Sequence, residues 1–172
     1  MREIKNPWIG TEGYNCFGCC PTNPYGVKMR FYEDGQDVVS FWKPKDYYQS
    51  WINTLHGGVQ SVLLDELCGW VVSHILRKSG VTAKMETRFR KPVAINQRFV
   101  ELRARLREIK RNIAIVDGEI RSAEGEILVE CICTYFTFDA AHAPVEVPFM
   151  ATEVIGEEMS REEVLTSLEL SI

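Results

Sequence analysis

His56-Gly57-Gly58-Val59-Gln60-Ser61-Val62-Leu63-Leu64-Asp65-Glu66-Leu67-Cys68-Gly69-Trp70-Val71-Val72 decides the fold. The segment opens on a glycine pair, continues as the most apolar helix-length run in the chain, and carries two adjacent carboxylates near its middle. Its spacing predicts a helix from Gly57 to Lys78, with Gly80 just past the end and Arg77 and Lys78 complementing the negative C-terminal dipole. Val59, Val62, Leu63, Leu64, Leu67, Trp70, Val71, Val72, Ile75 and Leu76 cover most of its circumference. A helix apolar nearly all round is expected to be buried nearly all round. Its valines have modest helix propensity, so packing must hold it.

On both sides of this helix the hydrophobic period changes to two. Val27–Tyr32 and Asp37–Trp42 flank Glu33-Asp34-Gly35-Gln36 and read as a hairpin with one buried face. Tyr47, Tyr48 and Trp51 form an aromatic cluster leading into the helix, as a lid over the core, a pocket wall, or both. After Gly80, strands are expected over Thr82–Lys91, Arg98–Arg107, Ile113–Arg121 and Ile127–Phe138, the last three as an antiparallel meander. An antiparallel sheet with one fully apolar helix is an α+β fold whose economical arrangement is a sheet curled around that helix. Residues 1–26 read as irregular, punctuated by Pro and Gly. Residues 1–139 form the domain. Residues 140–172 read as a C-terminal surface extension or partner contact, with a short helix capped by Ser160 and Glu163.

Composition excludes several classes. With 45% hydrophobic and 26% charged residues, the 172-residue chain is globular rather than disordered. A net charge of −4 argues against nucleic-acid binding by bulk electrostatics. No run approaches the roughly 18 apolar residues of a membrane span. Met1–Pro7 lacks an apolar leader core, so the expected location is the cytoplasm, with the six cysteines at 16, 19, 20, 68, 131 and 133 reduced. Cys16-Phe17-Gly18-Cys19-Cys20 contains half of a zinc site, and Cys131 and Cys133 would share one face of a strand. Small buried side chains are the preferred reading of both groups. Neither a metal nor a cofactor is expected.

His56-Gly57-Gly58 at a helix start, Asp65 nine residues after His56, and the strands that follow resemble the hotdog-fold acyl-CoA thioesterases. The closest group is the PaaI-type, or 4-hydroxybenzoyl-CoA thioesterase-like, family. Cys16-Phe17-Gly18-Cys19 through Asn23-Pro24-Tyr25-Gly26-Val27 also resembles an N-terminal signature of that group. The resemblance spans roughly residues 14–139. It implies that the Gly57 amide binds the thioester oxygen and that Asp65 is nucleophile or general base. It implies further that Thr82 positions water or substrate, that Asn53 orients the attacking water, and that His56 and Gly58 shape the turn. No cofactor is implied, and the partner is an acyl-CoA substrate.

This chemistry suits a helix terminus. Thioester hydrolysis needs donors for the developing oxyanion and a base or nucleophile at the carbon. A helix N-terminus offers oriented N–H groups, and glycine permits close approach. Gly57 and Asp65 are eight residues apart, about 12 Å along a helix. One helix cannot bring both to one carbonyl, so the site is expected at a homodimer interface, each chain completing the other's, within a dimer or a dimer of dimers. Adjacent side chains on a helix diverge, so Glu66 faces elsewhere and is expected to pair with a cation or line the pocket. Lys84, Arg88, Arg90 and Lys91 could hold the CoA phosphates, or form an ordinary solvated strand face. Three other readings stand beside hydrolysis: a non-catalytic acyl-CoA or acyl-ligand binding protein, a hotdog hydratase or dehydratase using His56, and a structural zinc protein built on Cys16, Cys19 and Cys20.

Overall fold

The computed structural model describes residues 1–170. Eight strands form one antiparallel sheet: β1 (Arg2–Lys5), β2 (Phe31–Asp34), β3 (Asp37–Trp42), β4 (Ser79–Phe89), β5 (Val100–Lys110), β6 (Ile113–Arg121), β7 (Ile127–Phe138) and β8 (Glu153–Ile155). Their order is β4-β7-β6-β5-β3-β2-β1-β8. The β2–β3 hairpin turns through Gly35 at a φ of 65°, which glycine takes without steric cost. β5, β6 and β7 form the meander that their alternating pattern predicts. Helix α1 (Gly57–Trp70) lies across the concave face, the arrangement of the hotdog fold. Leu63, Leu64, Leu67 and Cys68 are fully buried there, packed in one core with Val38, Leu102, Val116 and Val129. Each buried leucine contributes roughly 1.5–3 kcal/mol of transfer free energy. Trp70 stacks on Phe31 with centroids 4.4 Å apart.

The helix ends earlier than its sequence predicts. After Trp70 the chain makes one wider π-helical turn over Val71–Ile75 and leaves at Leu76. Arg77, not Gly80, takes the left-handed conformation, at a φ of 56°. Tertiary contacts force this early exit. The His74 Nδ1 lies 2.8 Å from Thr152 Oγ1 and its Nε2 2.9 Å from Glu33 Oε2, while Arg77 donates to the Thr152 carbonyl at 2.5 Å. Gly80 belongs to β4 and is small for another reason. A Cβ there would lie 3.1 Å from the Phe136 carbonyl oxygen and 3.2 Å from Val72.

Nor is α1 buried all round. Gly58 is exposed, and Val62, Asp65 and Gly69 are half-buried, so one stripe of the helix stays partly open. A single sheet covers only the opposite side. Of the aromatic cluster, Tyr48 packs on Trp42, but Tyr47 and Trp51 are 71% and 82% exposed and cover no core within this chain.

The chain ends are more structured than their composition suggests. β1 arises in the lead-in that reads as irregular, and β8 pairs with it. Helix α2 (Arg161–Leu170) begins in the expected capping box: the Ser160 amide donates to Glu163 Oε2 at 2.7 Å and the Glu163 amide to Ser160 Oγ at 3.3 Å. It is not a loose extension. Val164, Leu165 and Leu168 cover Tyr32, Val39, Phe41 and Phe99 on the outer face of the sheet. The hairpin is therefore buried on both faces, not one, and Tyr32 has no exposed surface.

Beside this second core, the buried Asp37 carboxylate accepts from Arg103 at 2.7 Å and from Arg105. Burial alone would raise its pKa; the two guanidiniums outweigh it and hold it below the ordinary value. A carboxyl lowered on folding stabilises the fold above its unfolded pKa, about 4, and that contribution is lost as pH falls through the lower folded value. Asp37→Asn is thus expected to be less stable than wild type at pH 7. In urea unfolding, that gap should close as the pH is lowered below about 4.

Candidate active site

Three elements converge on Asp65. Thr82 Oγ1 on β4 donates to Asp65 Oδ1 at 2.8 Å. The Tyr135 hydroxyl on β7 donates to the Asp65 carbonyl oxygen at 2.8 Å and to Oδ1 at 3.2 Å. Thr82 and Tyr135 are cross-strand partners, and the β4–β7 register shifts immediately after Thr82. Such a shift re-aims side chains locally. One carboxylate oxygen is thereby fixed by two hydroxyls. Burial, followed by the neighbouring Cys68 and Asp65, pushes the Tyr135 phenol far above its ordinary pKa, so it stays a protonated donor. Asp65, Glu66, Thr82 and Tyr135 line one cleft of about 630 Å3.

The other half of the chemistry lies at the start of α1. His56 caps the helix, its Nδ1 accepting from the Gly58 amide at 2.9 Å and its carbonyl from the Gln60 amide at 3.1 Å. The Gly57 amide has no acceptor among the described residues. A Cβ on Gly57 would meet the Phe89 ring at 3.5 Å, so the position has room but is flanked by an aromatic side chain. Because α1 is regular from Gly57 to Trp70, Gly57 and Asp65 are held about 12 Å apart.

The remaining candidates make other contacts. Asn53 adopts a left-handed φ of 57°, and its Oδ1 accepts from the Asn96 amide at 3.2 Å, so in this chain it shapes a turn. Among the described residues Glu66 meets no cation. It accepts from Trp70 Nε1 at 3.2 Å and sits against the Cys16 thiol at 3.6 Å, and burial raises its pKa to about 7. Lys84 pairs with Glu86, Arg90 with Glu130 and Lys91 with Glu126, while Arg88 stands 3.9 Å from Glu130. These cations are exposed but partnered within the chain. Cys20 points away from Cys16 and Cys19, toward Thr22, at 3.3 Å. Tyr135 is the residue that sequence reasoning missed. Its signal was present: it continues the inward-facing series Val129, Cys131, Cys133, Tyr135, and with Thr137 it brings a hydroxyl to that buried face.

The family described as the thioesterase superfamily matches residues 52–129, which contain the glycine pair, Asp65 and Thr82. No curated protein matches the chain in sequence. Among solved structures, a thioesterase superfamily protein superposes with a TM-score of 0.63 at 24% identity, covering 67% of this chain and 57% of its own. The chain thus spans little more than half the length of that protein. A hypothetical thioesterase from Streptococcus pneumoniae, solved with coenzyme A, gives 0.59 at 21% identity, over 64% and 86% of the two chains. A Streptococcus mutans protein bound to acetyl CoA gives 0.60 at 16% identity, over 76% and 97%. The chain has the hotdog fold, and helix α1 and the strands that follow it up to residue 129 lie within the segment that the thioesterase-superfamily family matches.

Proposed function

We propose that this protein is a PaaI-like acyl-CoA thioesterase that hydrolyses a thioester to a free acid and CoA. The observation that carries the reading is the Asp65 carboxylate, held by Thr82 and Tyr135 on the open stripe of an otherwise buried helix. A carboxylate fixed by donors and open to a cleft can activate water or attack directly. The Streptococcus pneumoniae thioesterase has also been solved as variants replacing an aspartate and a threonine, the same two residue types that meet here. His56 uses its Nδ1 in the helix cap, which favours hydrolysis over a hydratase that would need its ring.

The catalytic unit is a homodimer. Gly57 polarises the carbonyl in one chain and Asp65 of the second attacks, because about 12 Å separates the two groups along a single helix. The half-open stripe of α1 and the exposed edge strand β4 are the surfaces such a dimer would cover. Arg88, Arg90 and Lys91 flank Phe89, which sits against Gly57, so CoA phosphates would compete with Glu126 and Glu130 for them. Six free cysteines suit a reducing cytoplasm. Hydrolysis of short, long and aromatic acyl-CoAs, followed by release of the CoA thiol, tests the reading; binding of these esters without turnover would overturn it. Tyr135→Phe should lower kcat by about two- to tenfold with little change in KM, since it removes one orienting hydrogen bond of roughly 0.5–1.5 kcal/mol.

A further inference from the structure

Among the described residues, two clusters of metal-capable side chains remain outside the proposed hydrolytic machinery. Cys68, Cys131 and Cys133 pack sulfur to sulfur at 3.8 and 3.9 Å, walled by Leu64 and Gly118. All three are sealed in the core, which leaves an ion no entry path. The second cluster opens on the cleft. The Cys16 and Cys19 sulfurs and a Glu66 carboxylate oxygen lie within 4.8 Å of one another on its wall.

Cys16-Phe17-Gly18-Cys19 is folded to make this cluster. The Cys20 amide donates to the Cys16 carbonyl at 3.2 Å, closing the turn, and the Gly18 amide donates to Cys16 Sγ at 3.3 Å. The Tyr14 hydroxyl lies 3.0 Å from Cys19 Sγ and is itself held by Asn6 Nδ2 at 2.8 Å. A Cβ on Gly18 would fall 2.2 Å from Glu66 Oε2, so a larger residue there would displace the carboxylate from the thiols. Trp70 fixes that carboxylate from the other side at 3.2 Å. No lysine, arginine or histidine meets the group among the described residues. Two thiols and a carboxyl thus converge where only protons or a cation can neutralise them.

We propose that Cys16, Cys19 and Glu66 bind a zinc-class divalent ion, with the fourth coordination position facing the cleft. Two sulfurs and one carboxylate oxygen suit such an ion. Zinc–sulfur bonds of about 2.3 Å put tetrahedral ligand atoms roughly 3.8 Å apart, so the cluster needs to contract by about 1 Å at most. The ion displaces the two thiol protons, and the Gly18 amide and Tyr14 hydroxyl are the outer hydrogen bonds that steady the sulfurs. Bound there, it fastens the N-terminal lead-in to α1 one residue from Asp65.

The readout is metal binding, so it stands or falls separately from thioester turnover. The full chain, purified under reducing conditions and stripped with a chelator, is titrated with Zn2+ by calorimetry and with Co2+ by absorption. One ion per chain is expected, with a thiolate-to-cobalt charge-transfer band and slowed alkylation of Cys16 when Zn2+ is present. Cys16→Ser and Cys19→Ser should lose the band, Glu66→Gln should bind at least about tenfold more weakly, and Cys20→Ser and Cys133→Ser should retain it. Failure of the folded wild-type chain to bind Zn2+ stoichiometrically overturns the proposal, whatever the variants do. So does a cobalt band that survives Cys16→Ser with Cys19→Ser, or one lost in Cys133→Ser.

Discussion

Asp65→Asn is expected to lower kcat for acyl-CoA hydrolysis by about 10²–10⁴-fold, the usual worth of a positioned acid–base group, while leaving the fold intact. The substitution keeps the shape of the side chain. An asparagine carbonyl oxygen can still accept from Thr82 and Tyr135, which hold Asp65 Oδ1 at 2.8 and 3.2 Å. What is lost is the basic, nucleophilic oxygen. KM should change little, because the carboxylate acts on the reacting carbon rather than on the distant CoA moiety. Steady-state kinetics with the best acyl-CoA, alongside thermal unfolding, checks this. Unchanged kcat in a folded Asp65→Asn protein would remove the carboxylate from the mechanism.

Gly57→Pro should cost about 10²–10³-fold in kcat, the effect of deleting one oxyanion donor. Proline is chosen because it deletes an amide hydrogen at a place where the helix does not need it. Gly57 is the first residue of α1, the position that accepts proline best. His56 before it sits at φ −61°, ψ 132°, the extended conformation that a following proline demands. The proposed dimer gives this variant a second use. Mixed with Asp65→Asn, each mixed dimer holds one intact site and one doubly damaged site, so random reassociation should restore about a quarter of wild-type activity. Sites confined to single chains would show no recovery at all.

The sheet and its helix were legible because their periods are. β6 and β7 have the bounds their alternation predicts, and α1 begins at the glycine that follows its cap. Two kinds of feature were hidden. The first is where local pattern yields to distant contacts. α1 stops short of Lys78 where Thr152 and Glu33 hold His74 and Thr152 holds Arg77, and nothing in residues 57–80 announces partners so distant in sequence. The second is which faces meet. Alternation shows that Tyr32 and Val39 point one way along their strands, but not that α2 will return to cover them. The site shared this limit. The resemblance named Asp65 and Thr82 separately but not their contact, and Tyr135 enters through the β4–β7 register, which the sequence does not state.

The return of α2 has a consequence for assembly. It fills the outer face over β2, β3 and the start of β5 with apolar side chains of the same chain. A complex larger than the proposed dimer that used this face would form on its remaining half. There Arg107–Asp117, Arg121–Glu119 and Arg90–Glu130 stand as exposed or half-exposed ion pairs. Contacts between such surfaces weaken with salt. A tetramer of this protein should accordingly dissociate to dimers at high ionic strength, while the dimer, built on β4 and the open side of α1, should persist.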